Sequence, residues 1–154
     1  PDFFRAYAED QTLEIRSPNS VRPWQHVLEP LSGYLNLAER LATDGQPYAQ
    51  GWNFGPTNDE SKSVGWIVEQ LADRMKGLQY RINQAPQPHE ASMLKLDSSK
   101  AHDRLSWYPR WPLEICLERI ASWQEAWKSE KDMQKYSLGQ VDQYLETRSV
   151  REAE

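Results

Sequence analysis

Nine residues, Arg22-Pro23-Trp24-Gln25-His26-Val27-Leu28-Glu29-Pro30, constrain the fold of this chain more than any other stretch. They bring a guanidinium, an indole, an imidazole and a carboxylate together and close on a proline. Leu28, Leu31, Leu35, Ala38 and Ala42 follow on one face, and that spacing predicts an amphipathic helix over about 28–43. Pro30 falls in its first turn, where a missing N–H costs nothing. The polar residues therefore sit on a strand or loop that feeds a helix N-terminus, a natural place for an anion. Arg22 supplies the planar fork that suits phosphate, although a surface arginine in a salt bridge has the same spacing.

A chain of 154 residues is expected to form one domain. With 38% hydrophobic and 27% charged residues it reads as a soluble protein on the polar side of average. No apolar run approaches a membrane span, and no signal peptide is visible. The net charge of −5 and the lack of a basic run argue against a nucleic-acid partner. Cys116 is the single cysteine, so no internal disulfide can form, which fits a reducing cytoplasm. It lies on the apolar stripe of an expected helix and reads as a buried, inert thiol. Seven tryptophans are many for this length. They could stack on sugars or bases, but Trp66, Trp111, Trp123 and Trp127 lie in or beside expected helices and read as core. The chain opens on Pro1 rather than Met, which reads as a processed, truncated or partial sequence.

Along the chain, residues 1–9 read as the end of a helix, Thr12 to Arg16 as a strand and Ser17 to Ser20 as a turn. Asp44-Gly45-Gln46-Pro47 ends the helix of the organising stretch. Gln50 to Phe54 is a strand candidate and 55–60 a polar loop. A second helix is expected over about 63–76, with Val64, Ile67, Val68, Leu71 and Met75 on one face and Gly77 as its stop. Leu78 to Ile82 reads as a strand, 85–90 as a proline-bearing loop and Met93 to Leu96 as a short strand. Ser98 or Ser99 caps a short helix through Leu105. Trp107 to Pro112 forms a rigid aromatic connector, and Pro112 opens a third long helix bearing Leu113, Cys116, Leu117, Ile120, Trp123 and Trp127. A further helix is expected near 132–147. Short strands among helices define an α/β class, mixed α+β if the chain stands alone. Residues 1–128 form the folded portion and 129–154 a charged helical tail. So small a sheet leaves apolar edges uncovered and implies a partner segment.

Several chemistries lack their residues. A dinucleotide site needs a glycine-rich turn from strand to helix, and no pair among Gly33, Gly45, Gly51, Gly55, Gly65, Gly77 and Gly139 has that spacing. No tyrosine has a lysine four positions on; the residues there are Gln11, Ala38, Trp52, Gln84, Pro112, Gln140 and Arg148. His26, His89 and His102 are far apart, with no helical metal-ligand spacing. No nucleophile–histidine–acid order is readable.

What is present resembles a known family. R-x-W-x-x-V-x-(D/E) ahead of a helix is similar to the substrate-side motif of extended short-chain dehydrogenase/reductase enzymes that act on nucleotide sugars. The longer run R-P-W-Q-H-V-L-E-P-L-S-G-Y-L resembles the 4,6-dehydratases of that family that take CDP-glucose. Trp52-Asn53-Phe54-Gly55-Pro56-Thr57-Asn58-Asp59 resembles the family's N-x-G-x-x-N segment, which implies that Asn58 binds substrate phosphate. The alternative is a turn-capping asparagine. Gln87-Pro88-His89-Glu90-Ala91 resembles a loop against the nucleotide. It implies that His89 donates to phosphate or base and that Glu90 accepts from ribose or a base amino group, against the alternative of a solvated pair. Leu96-Asp97-Ser98-Ser99-Lys100-Ala101 and Leu105-Ser106-Trp107-Tyr108-Pro109-Arg110 resemble D-x-S-K-A…L-G-W-x-P, an architectural segment. Ser106 stands where the family has glycine, so a differently bent helix end is expected there.

The resemblance covers about residues 1–128. It implies the C-terminal, substrate-binding part of an extended short-chain dehydrogenase/reductase fold. The implied parent is a cytoplasmic NAD-dependent lyase of deoxysugar and O-antigen synthesis, and a homo-oligomer. Its NAD and acid/base groups would come from elsewhere, so this segment has no catalytic residue, binds no NAD alone, and takes CDP-glucose through Arg22, Asn58, His89 and Glu90. Two rival readings stay open: a fragment of another nucleotide-sugar dehydratase or epimerase, and a non-catalytic helical interaction domain.

Overall fold

The computed structural model describes residues 2–57, 60–83 and 92–147. In chain order these form α1 (Asp2–Ala8), β1 (Thr12–Ile15), β2 (Val21–Pro23), α2 (Leu28–Thr43), β3 (Ser61–Ser63), α3 (Val64–Arg74), β4 (Gln79–Ile82), α4 (Ser99–Leu105), α5 (Leu113–Lys128) and α6 (Met133–Glu146). The result is mixed α/β, six helices with a few short strands, as the sequence pattern predicts.

The strands make two small ribbons. β1 runs parallel to β4, with Leu13 opposite Tyr80 and Ile15 opposite Ile82. Alternation buries Leu13 and Ile15 against Ala6 and Val68, whereas all of β4 is exposed. β2 runs antiparallel to β3. The expected strand at Met93 to Leu96 shrinks to one parallel bridge between Met93 and Val21. Gln50 to Phe54, also expected as a strand, joins no ladder. Side chains take its backbone groups instead. Gln25 Nε2 donates to the Phe54 carbonyl at 2.8 Å, and the Gly55 N–H donates to Ser98 Oγ at 2.8 Å.

α3 and α5 obey their periodicity. Ile67, Val68, Leu71 and Met75 are buried, and the Ser63 hydroxyl accepts from the Trp66 N–H to cap α3. Gly77 makes the turn beyond it with φ of 89°, open to a residue without a Cβ. On α5, Leu113, Cys116 and Leu117 are buried with Trp111, and Glu60 Oε1 accepts from the Leu113 N–H to close its first turn. Trp66 and Trp123 are only half-buried, and Trp127 stands 47% exposed, which corrects its assignment to the core. Ala121 and Gln124 hold the inner face at that end of the helix instead. α6 joins the same core through Tyr144.

α2 is turned the other way. An amphipathic helix ordinarily points its apolar stripe at the core. Here Leu31 is 44% and Leu35 73% exposed, Ala38 and Ala42 face outward, and the buried residues are Glu29 and Gly33. Two local causes are visible. At Gly33 the Phe54 ring lies so close that an added Cβ would sit 2.3 Å from its Cδ1. The polar flank also finds partners inside: Asn36 Nδ2 donates to the Leu105 carbonyl at 3.1 Å, and Ser32 Oγ accepts from Trp107 Nε1 at 2.9 Å.

The turn at Ser106 keeps the shape a glycine would give. Ser106 itself adopts the left-handed conformation, with φ 51° and ψ 31°. The expected alternative bend is not taken, because Trp107 must enter the pocket beside Phe54, 5.0 Å between ring centroids. Ser106→Gly is therefore expected to raise stability by up to about 1 kcal/mol, relief of strain being partly offset by a freer unfolded chain. Urea unfolding followed by tryptophan fluorescence checks this; a loss of stability would show that the serine is not strained. The start of α4 also differs from expectation. Ser98 occupies the cap position but spends its hydroxyl on Gly55, and Asp97 Oδ1 accepts from the Ser99 N–H at 2.9 Å instead.

Candidate substrate-binding ribbon

Most of the organising stretch serves as a set of latches. Trp24 Nε1 donates to the Lys62 carbonyl at 2.8 Å, fastening the end of β2 to β3. Gln25 holds Phe54. His26 is buried edge-on to Trp111, ring centroids 5.0 Å apart. Burial, and secondarily the nearby Arg119 charge, push its pKa down to about 4. Glu29 is fully buried, and its carboxylate accepts from the Arg110 N–H, the Trp111 N–H and the Tyr144 hydroxyl at 2.7–3.1 Å. Desolvation raises its pKa, and those three donors act against the rise.

The expected anion site at the start of α2 is not formed by its backbone. The Leu28 N–H donates to His26 Nδ1, the Glu29 N–H to the His26 carbonyl and the Leu31 N–H to the Val27 carbonyl. Pro30 has no N–H to offer. The helix-end donors on which an anion would sit are spent.

The positive charge lies instead on the ribbon. Arg22 is the central residue of β2, and its cross-strand partner is Lys62 of β3. Direct partners in an antiparallel pair share a face. Two cations therefore project from the same side. The Arg22 Nη1 group also donates to the Val21 carbonyl at 2.9 Å, and Lys62 Nζ stands 5.8 Å from the Trp66 ring centroid. Lys62 was not singled out by sequence, because a register between two three-residue strands leaves no periodic signal.

Of the other expected site residues, Asn58, His89 and Glu90 lie outside the described residues. The chain on either side of them is informative. Glu60 leads directly into β3, on one side of β2. On the other side, the Val21 N–H donates to the Ser92 carbonyl at 2.8 Å and the Leu94 N–H to the Val21 carbonyl at 3.1 Å. The described chain thus resumes, at Glu60 and at Ser92, on either side of the strand that carries Arg22.

A larger cavity of about 710 Å³ opens between α1, β1, α3 and α5, walled by Phe3, Phe4, Ile15, Val68, Leu71 and Leu117 among others. Neither Arg22 nor Lys62 lines it. Cys116 does, but burial pushes its thiol up to about 12, so it stays protonated and unreactive at neutral pH. Among the described residues no three His, Cys, Asp or Glu side chains come together to hold a metal. No helix among them is long and apolar enough to cross a membrane.

The chain matches no family model. It is 43% identical over 146 residues to the CDP-glucose 4,6-dehydratase of Salmonella typhimurium, a match that takes in 94% of this chain. The chain spans 41% of the length of that enzyme.

Proposed function

We propose that this chain is the C-terminal, substrate-binding portion of a CDP-glucose 4,6-dehydratase, the lyase that turns CDP-glucose into CDP-4-keto-6-deoxyglucose. The similarity that runs through 94% of the chain carries the reading. The ribbon supports it. A diphosphate laid across Arg22 and Lys62 meets a planar fork and a point charge from one face, and charge-assisted hydrogen bonds of this kind are the strong ones. In this reading Asn58 adds a phosphate contact from the segment before β3. His89 and Glu90 address the nucleotide from the segment before Ser92. The parent works as a cytoplasmic homo-oligomer in deoxysugar and O-antigen synthesis.

NAD dependence belongs to the parent in this proposal. The residues of this chain do not fit the cofactor: none of the described strand-to-helix junctions carries a paired glycine turn, and at the β3–α3 junction Gly65 is already closed by the Pro18 carbonyl, 3.2 Å from where a Cβ would be. This chain's own work is to bind and orient the sugar nucleotide, which is where positioning contributes to rate.

Titration calorimetry with CDP-glucose tests the reading on the chain as it stands. Arg22→Ala is expected to weaken binding about ten- to a hundredfold, the range for one charge-assisted contact. Equal heats from both proteins would remove Arg22 as the anchor. Dehydratase turnover by the purified 18.0 kDa chain alone would refute the division of labour.

A further inference from the structure

We propose that the hollow between α5 and α6 binds a multivalent phosphate anion, held by Arg119 of α5, by Lys131 of the turn between the helices and by Lys135 of the first turn of α6. The hollow measures about 380 Å³, a size that suits a small molecule, and it shares no lining residue with the β2–β3 ribbon.

The lining is cationic on an acidic chain. The net charge of the sequence is −5, yet these three cations wall one hollow, and Asp132 is the only carboxylate among its lining residues. Asp132 is already engaged: its Oδ1 accepts from the Lys135 N–H at 3.1 Å and caps α6. The excess of positive charge favours a dianion over a monovalent acid. None of the three cations forms an ion pair or donates a side-chain hydrogen bond among the described residues. Lys131 Nζ stands 5.9 Å from the Tyr136 ring centroid, and Arg119 Cζ stands 5.9 Å from that of Trp111. Ring faces place these cations without neutralising them.

Arg119 itself asks for an acceptor. It is half-buried, and its Nε–H is shut away from solvent with no hydrogen-bond partner. A buried donor left unpaired costs free energy, and such groups are rare enough in folded proteins to need a cause. A guanidinium in that state gains most from an oxyanion that takes two of its N–H groups side by side. The walls are fixed before anything binds. Gln140 Nε2 donates to the Arg119 carbonyl at 2.9 Å, and Trp123 Nε1 donates to Ser137 Oγ at 3.0 Å, so α5 is tied to α6 at two points. Gly139 also lines the hollow, and a Cβ added there would meet nothing within 4 Å, which leaves the space open on the α6 side.

Titration calorimetry with inorganic pyrophosphate, at constant ionic strength set by sodium chloride, tests the site. The protein is the full chain carrying Arg22→Ala with Lys62→Ala, so that the ribbon does not compete for the anion. One pyrophosphate per chain is expected. Arg119→Gln should weaken it about ten- to a hundredfold, the range for charge-assisted hydrogen bonds. Lys131→Gln with Lys135→Gln should weaken it roughly three- to tenfold, as for two exposed charges. Gly139→Leu removes no charge, yet should abolish binding by filling the hollow. Leucine also favours a helix over glycine, so the melting temperature of that variant should not fall. The lysine pair is exposed and Gly139 has room beside it, so both variants give a reading even where Arg119→Gln unfolds. No binding to the chain without its ribbon cations overturns the proposal. So does binding that survives Gly139→Leu, or that is indifferent to the guanidinium or to the lysine pair, which would make it a diffuse response to surface charge.

Discussion

Glu29→Ala is expected to destabilise the fold by about 3–5 kcal/mol, the range for removing one partner from a buried charged network. For a domain of ordinary stability, roughly 5–15 kcal/mol, that approaches unfolding at room temperature. The reason is the number of elements that meet on this carboxylate. The Arg110 and Trp111 N–H groups come from the connector ahead of α5, the Tyr144 hydroxyl comes from α6, and all three aim at Oε1 and Oε2. Alanine leaves the two backbone donors without this acceptor and the Tyr144 hydroxyl with only Ser32 Oγ, 2.9 Å away. It also loosens Arg110, whose guanidinium holds the carbonyls of Tyr144, Leu145 and Thr147 at 3.2 Å. Urea unfolding followed by tryptophan fluorescence gives the number. Tyr144→Phe, which removes one donor and leaves the two backbone bonds, should cost about 1–2 kcal/mol on the same axis. A Glu29→Ala protein within 1 kcal/mol of the parent sequence would mean that water or a rearranged Arg110 replaces the carboxylate.

The same residue shows what the sequence could and could not disclose. The period of α2 was readable, because helical spacing is a local property. Its orientation was not, because Glu29 is drawn inward by Arg110, Trp111 and Tyr144, 81 to 115 positions away. α3 and α5 were readable in both respects, their apolar faces being the only ones they have to bury. Trp127 was misjudged because the last turn of α5 buries the neighbouring Ala126, on another face of the helix, in its place. Gln50 to Phe54 was expected as a strand, but a strand is a relation between two segments and no described strand pairs with it. Of the proposed binding surface, Arg22 stood out by its company of Pro23, Trp24 and Glu29. Lys62 did not, since only the pairing of β2 with β3 brings it to the same face.

Acid should undo this fold chiefly through His26. Its pKa falls from 6.5 to about 4 because protonation would place a charge in a buried site beside Trp111 and Arg119. A depressed folded-state pKa means that the unfolded chain takes up the proton first. The stability contributed is thus fully present above pH 6.5 and is lost as pH falls through about 4. The gap corresponds to roughly 3 kcal/mol at most. Glu29 acts with the opposite sign: its raised pKa means that a contribution present below 4.5 is lost as pH rises through the folded value. Protonation of Glu29 therefore softens the acid limb. His102, also held below 6.5 by burial, works in the same direction as His26. The difference between two proteins separates these groups. His26→Asn retains an acceptor for the Leu28 N–H but has no proton to take up in this range. It is expected to be less stable than the parent sequence at pH 7.5 and to lose less on going to pH 4.5, so that the two unfolding curves approach one another in acid. Urea midpoints at a series of pH values read this directly. Parallel losses in the two proteins would show that His26 is already free to protonate in the folded chain, and that the contact between the organising stretch and Trp111 is looser than its burial indicates.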